Sequence, residues 1–413
     1  MSRSRPPVDP QVRAVLEAAR GSLSRRTLLG GGAAALAAGL AACAPPTPPT
    51  STGGAAAPTL PTDVSSTEKI VRWANWTAYL DYDDKTKTYP TLEAFKKKYG
   101  INATYSEDIE DNDSYFNKIA PQLRADPPQD IDRDVFVFTD WMANRIVREQ
   151  LVQPLELIRM PNASNLLDTL KDVSFDPGRT HSLTWQSGFA GIGYHKKKVG
   201  RELKSLDDLW ADDLKGKIVV LSEFRDTLGL VMQRQGVDPS GQFTKAQFET
   251  ALDEINKRIS DGNIRRVKGN SYLEDLKSGN AIAGIVWSGD LFVLRSETED
   301  DDWDFVIPES GGTLWSDNMM IPITSTHRRN AMTLMNYYYD PAVAAQVAAY
   351  VNYVCPVVGA QKEMEKLDKD LAESPLIFPS ADWIKKNNIK VFRALSPTED
   401  ADYSAEWAKV VGN

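Results

Sequence analysis

From Ile70 onward the chain alternates short apolar runs with stretches in which apolar residues recur every three or four positions. Ile70-Val71-Arg72-Trp73 has the composition of a strand. Leu92, Phe95 and Tyr99 share one helical face behind Pro90, with Gly100 after them, which predicts a helix over 90–99. Ile101–Tyr105 follows as a strand, Tyr115–Leu123 as a helix, and Val135-Phe136-Val137-Phe138 as a buried strand. Farther on, Ile218–Leu221, Ile282–Val286 and Trp303–Ile307 read as strands. Phe248, Leu252, Ile255 and Ile259 mark a long helix, and Val343–Tyr350 is helical behind Asp340-Pro341. Strand and helix in alternation predict α/β domains with largely parallel sheets. No internal repeat is visible.

The N-terminal part breaks this rhythm. Ser24-Arg25-Arg26-Thr27-Leu28-Leu29 leads into an Ala/Gly-rich apolar stretch that ends Leu40-Ala41-Ala42-Cys43. A charged region, a short apolar region and small residues before Cys fit an export signal over 1–43, with too few apolar residues to span a bilayer. The arginine pair points to the twin-arginine route. Leu-Ala-Ala-Cys resembles a bacterial lipobox, and that resemblance implies a lipid on Cys43. Residues 44–67, rich in Pro, Thr, Ala and Gly, cannot bury a core and are expected to form a tether. These features place the protein outside the cytoplasm and against a membrane.

What remains is roughly 345 residues, enough for two domains. Ten tryptophans argue for well-packed globular structure. The net charge of −9 disfavours nucleic acid and anionic lipid as partners and favours cationic ligands. There are only two cysteines, so a lipidated Cys43 leaves Cys355 without a disulfide partner. His181, His195 and His327 are far apart with no Cys or carboxylate at ligand spacing, so no metal site is expected. Nothing in the sequence calls for a cofactor.

In open α/β sheets ligands collect beyond the carboxyl ends of the strands. Here those ends carry aromatic residues beside polar and acidic ones: Asn75-Trp76-Thr77-Ala78-Tyr79, Thr139-Asp140-Trp141, Ser222-Glu223-Phe224-Arg225-Asp226 and Trp287-Ser288-Gly289-Asp290. A further segment, Gly311–Asp317, follows the strand at 303–307. Aromatic faces hold cations and methylene stems together, at about 0.5–2 kcal/mol per contact. Carboxylates beside them form charge-assisted hydrogen bonds to ammonium groups. Glu223 and Asp226 share one helical face, where they equally suit the first turn of a helix. A pair so placed meets one side of a ligand, not two sides of a bond, and no Ser or Cys nucleophile has a His in a recognisable motif. Gly188–Gly193 lacks dinucleotide or phosphate-loop spacing. The pattern therefore reads as binding without catalysis, and the protein is not expected to be an enzyme.

Taken in order, Asn75–Tyr79, Asp207-Asp208-Leu209-Trp210 with Lys215-Gly216-Lys217, Val286–Gly289 and Gly311–Asp317 resemble the bacterial spermidine/putrescine-binding proteins, substrate receptors of ABC importers. The resemblance runs from Lys69 to about Gly359. It implies the two-lobed periplasmic-binding-protein fold of type II, with a ligand cleft between the lobes and hinge strands crossing near Leu183–Gly188 and Glu309–Met320. The implied lobes are 68–185 with 318–375, and 186–317 with 376–413. It also implies a cleft lined by Trp76, Thr77, Tyr79, Thr139, Trp141, Trp287, Trp315 and Tyr353, with Glu223, Asp226 and Asp317 taking the amine groups. The chain departs from the family pattern at Glu223, where Asp is expected, at Trp141, where Tyr is usual, and at Val354-Cys355-Pro356. No late C-terminal Gln is matched. The implied partners are a polyamine and a membrane permease, with the receptor acting as a monomer on the outer face of the cytoplasmic membrane. The same fold binding an oligosaccharide is the alternative. Ferric ion is a second, for which Tyr337-Tyr338-Tyr339 is the candidate, although its position behind a helical pattern favours packing.

Overall fold

Residues 59–412 are described by the computed structural model. The expected signal, Cys43 and the tether up to residue 58 lie outside the described residues. Among the described residues, nine strands form one sheet: β1 (Ile70–Trp76), β2 (Asn102–Ile109), β3 (Val135–Thr139), β4 (Ser182–His195), β5 (Ile218–Leu221), β6 (Ile264–Lys268), β7 (Ala283–Trp287), β8 (Trp303–Val306) and β9 (Thr313–Met320). Their order is β2-β1-β3-β9-β4-β7-β5-β6, with β8 paired to β4 off this path.

Two groups of parallel strands, β2-β1-β3 and β6-β5-β7, match the expected α/β pattern. The centre does not. β3–β9, β4–β9 and β4–β7 are antiparallel, because β4 and β9 run between the two groups in opposite directions. β9 pairs through Asp317–Met320 with β3, and β4 pairs through Ala190–Tyr194 with β7. Between these stretches β4 and β9 pair with each other, with a register shift at Thr184/Gln186. The two strands carry the sheet across from one parallel group to the other.

Local signals set most element ends. The helix at 90–99 begins on Pro90 and stops where Gly100 turns left-handed at φ 64°. The expected helix at 115–123 starts earlier, at Asn112, because Asp111 caps it through the Ser114 amide. The apolar stripe of Phe248, Leu252 and Ile255 is the buried face of helix Lys245–Ser260, which opens on a Thr244/Gln247 capping box. The body also begins earlier than tether composition implies. Val64 donates its amide to Thr326 O (2.8 Å), and Asp63 pairs with Arg329 (3.3 Å).

Candidate ligand-binding site

The carboxyl ends of β1, β3, β5 and β7 converge with mid-strand residues of β9 on one cavity. After Trp76 the chain turns through Ala78 at φ 55°, its amide held by Glu107 Oε1 (3.0 Å), which swings Tyr79 back toward the sheet. Ten of the eleven residues expected in the cleft line this cavity: Trp76, Thr77, Tyr79, Thr139, Glu223, Asp226, Trp287, Trp315, Asp317 and Tyr353.

Trp76 meets Trp287 edge-on (centroids 6.2 Å apart), Trp287 meets Trp315 (6.3 Å), Trp315 meets Tyr353 (5.1 Å) and Tyr353 meets Tyr79 (5.4 Å). The walls press against glycine backbone: a Cβ on Gly188 would lie 2.7 Å from Tyr353 Cδ1 and collide with Trp315, and one on Gly289 would lie 2.7 Å from Tyr353 Cζ.

Asp317 and Asp226 are held by neutral donors. Asp317 accepts from Thr139 Oγ1 (2.7 Å) and Tyr79 Oη (3.0 Å). Asp226 accepts from Trp287 Nε1 (2.8 Å) and Thr313 Oγ1 (2.9 Å). Glu223 both lines the cavity and caps helix Phe224–Arg234. Its Oε2 accepts from Asn112 Nδ2 (3.3 Å) and Trp141 Nε1 (2.9 Å), and Arg225 pairs with Oε1 (3.3 Å). Burial pushes Glu223 up to about 8, Asp317 up to about 7 and Asp226 up to about 6.

Trp141 does not line the cavity. Its indole N–H supports Glu223 from behind, and its ring face is taken by the Arg225 guanidinium at 3.8 Å. The cavity also has a member the sequence reading left out. Asp290 lies deep in it, accepting from Tyr353 Oη (2.6 Å) and Tyr272 Oη (2.7 Å), and burial pushes it up to about 6. A signal was present: Asp290 follows Trp287 by three residues in a strand-end helix turn, the spacing of Asp226 after Glu223. Asp111, Asn112 and Asn270 complete the polar lining, and none carries a motif.

The tyrosine run packs instead of lining the site. Tyr337 donates to Thr91 O (3.0 Å), and Tyr338 and Tyr339 are fully buried beneath the sheet elements. Asp140 accepts from Asn318 Nδ2 (2.7 Å). Spacing in sequence did not reveal that His195 Nε2 stands 3.0 Å from Asp300, with Asp302 alongside. Lys197 already pairs with Asp302 (2.6 Å).

The lining thus offers three buried carboxylates, Asp226, Asp290 and Asp317, with the half-buried Glu223 and Asp111 beside them, in an aromatic enclosure. Among the described residues, no Lys, Arg or His pairs with Asp226, Asp290 or Asp317; their partners are hydroxyl and indole groups and, at Asp290, the Asn270 amide (3.4 Å). The chemistry of such a lining suits positive charge on a slender apolar stem.

The profile of the bacterial extracellular solute-binding proteins matches residues 90–379. The chain belongs to that family. Among its relatives, this solute-binding protein is 26% identical over 313 residues to the spermidine/putrescine-binding periplasmic protein of Escherichia coli, covering 75% of this chain and 83% of that one. It is 25% identical over 323 residues to spermidine/putrescine-binding periplasmic protein 1 of Haemophilus influenzae, covering 78% and 86%. A solved structure assigned to spermidine/putrescine ABC transport in Listeria monocytogenes matches with a TM-score of 0.70 at 25% identity, over 83% of this chain and 99% of that one. The fold of this solute-binding protein is the type II periplasmic-binding-protein fold expected from the sequence, with β4 and β9 as crossing strands. Among the described residues, no helix is long and apolar enough to cross a membrane.

Proposed function

We propose that this protein captures spermidine or putrescine outside the cytoplasm and delivers it to the permease of an ABC importer, without chemical change. The observation that carries the reading is the set of three buried carboxylates, Asp226, Asp290 and Asp317, without a basic partner inside an aromatic enclosure. Uncompensated buried charge is costly, and a neutral ligand such as a sugar would leave that cost in place. An alkyl diammonium or triammonium relieves it, and the rings cover the methylene chain. Micromolar binding needs only about 8 kcal/mol net, within reach of a few charge-assisted hydrogen bonds and cation–π contacts after ordering costs. The polyamine-binding relatives support the same ligand class.

Two lobes, 68–185 with 318–375 and 186–317 with 376–413, would close on the ligand about the crossing strands. A monomer tied by lipid on Cys43 to the outer face of the cytoplasmic membrane would present it to the permease. Calorimetry with putrescine and spermidine tests the ligand class. The expected result is binding that weakens with added salt and collapses in the Glu223→Gln/Asp226→Asn double variant. Absence of polyamine binding, or binding indifferent to that double change, would overturn the reading.

A further inference from the structure

One line of charged side chains leads away from the ligand cavity. Asp400, in the first turn of helix Pro397–Val411, is 7% exposed and gives one oxygen to each of two arginines. Its Oδ2 accepts from Arg145 Nη2 (2.7 Å) and Nε (3.1 Å), and its Oδ1 accepts from Arg225 Nη2 (2.7 Å). Arg145 also reaches Asp113 (3.2 Å), and Arg225 reaches Glu223 (3.3 Å). The signs alternate along Asp113, Arg145, Asp400, Arg225 and Glu223, and the last of these lines the cavity.

The two arginines come from opposite sides of the cleft. Arg145 is on helix Asp140–Arg148, which follows β3, whereas Arg225 is on the helix that follows β5. The C-terminal helix sits with the β5 side: Tyr403 stacks on Phe248 at 3.9 Å, and Trp407 Nε1 donates to Ser222 O (2.7 Å). The Arg145–Asp400 pair therefore joins the two sides at the cleft edge, beside Trp141, whose ring carries Arg225.

We propose that Asp400 is a closure latch, a positioning residue that touches no ligand and couples occupancy of Glu223 to the joining of the two sides. The proposal rests on the polyamine reading, because it takes Glu223 as an ammonium partner. Arg225 is shared between Glu223 and Asp400. An ammonium at Glu223 takes over part of that guanidinium's role and leaves it to Asp400, which then holds Arg145 across the mouth between two aligned cations. By linkage, a latched mouth favours the ligand at Glu223 to the same degree. Opening parts a nearly buried, doubly hydrogen-bonded ion pair, a step that governs release.

The test compares Asp400→Asn, which keeps shape and removes charge, with Arg145→Gln from the opposite side and with the double variant. Spermidine release is followed by stopped flow, the ligand-free melting temperature by scanning, and compactness by small-angle scattering. Loss of one partner of such a pair is expected to speed release roughly ten- to a hundredfold. The double variant should be no faster than the worse single one, and spermidine should compact Asp400→Asn less than wild type. Unchanged release in both single variants overturns the latch, as do additive effects that merely follow a fall in ligand-free melting temperature. If wild type binds no polyamine, the functional reading fails. The latch then stands only if Asp400→Asn scatters as a more expanded particle than wild type, and falls if their radii agree.

Discussion

Asp226 receives two good hydrogen bonds, yet burial still pushes its carboxyl up to about 6. Neutral donors orient an anion but do not supply its missing countercharge. Asp290 and Asp317 share this state. Two consequences follow for pH. A carboxyl whose folded pKa is raised contributes stability that is fully present below its ordinary value and is lost as pH rises through the raised one. The ligand-free melting temperature should therefore fall between about pH 5 and about pH 8, while a saturating polyamine, which favours the charged forms, flattens that slope. Binding should strengthen over the same interval and release protons, seen as calorimetric heats that vary with buffer ionisation enthalpy. Asp226→Asn should weaken binding by about 2–5 kcal/mol, and equal affinity in wild type and variant would remove Asp226 from the site. At this scale the sequence was legible where chemistry repeats: aromatic and acidic residues at strand ends marked the lining. Trp141 misled because its neighbour Arg225 lies on another element and takes the ring face that a ligand would use.

Helices and buried strands were readable from periodicity because each is stabilised by residues close in sequence, as in the Thr244/Gln247 box or the stop at Gly100. The antiparallel centre was not readable from periodicity. The pairing of Ser187 with Ser316, or of Gly188 with Trp315, joins residues more than a hundred positions apart, and a buried strand reads the same whichever way its neighbour runs. Only the family resemblance placed the crossings. β4 also shapes the wall, since Gly188 leaves the space that Trp315 and Tyr353 fill. Gly188→Ala should push both rings off position at a stability cost of about 1–3 kcal/mol, typical of overpacking. The expected result is a cooperatively folded protein with polyamine affinity reduced tenfold or more; wild-type affinity would show that the rings yield without consequence.

At the scale of the molecule, the site belongs to neither parallel group alone. Trp76, Tyr79 and Thr139 come from one, Glu223, Asp226 and Trp287 from the other, and Trp315 and Asp317 from the strand that joins them. Ligand should therefore draw the particle together, read as a smaller radius of gyration in solution. If lipid on Cys43 holds the receptor at the membrane, Cys43→Ala should move the protein from the membrane fraction to the soluble one with polyamine affinity intact; unchanged membrane association would exclude that anchor.

The edge-to-face succession of Trp76, Trp287 and Trp315 has an optical consequence. Three of the ten indoles stand within energy-transfer distance of one another around the cavity, and one donates its N–H to Asp226. Any change in the charge beside that N–H should alter the field on the Trp287 chromophore. Intrinsic fluorescence should thus shift on titration with putrescine or spermidine, a gauge of occupancy with no dye to attach and no residue to replace.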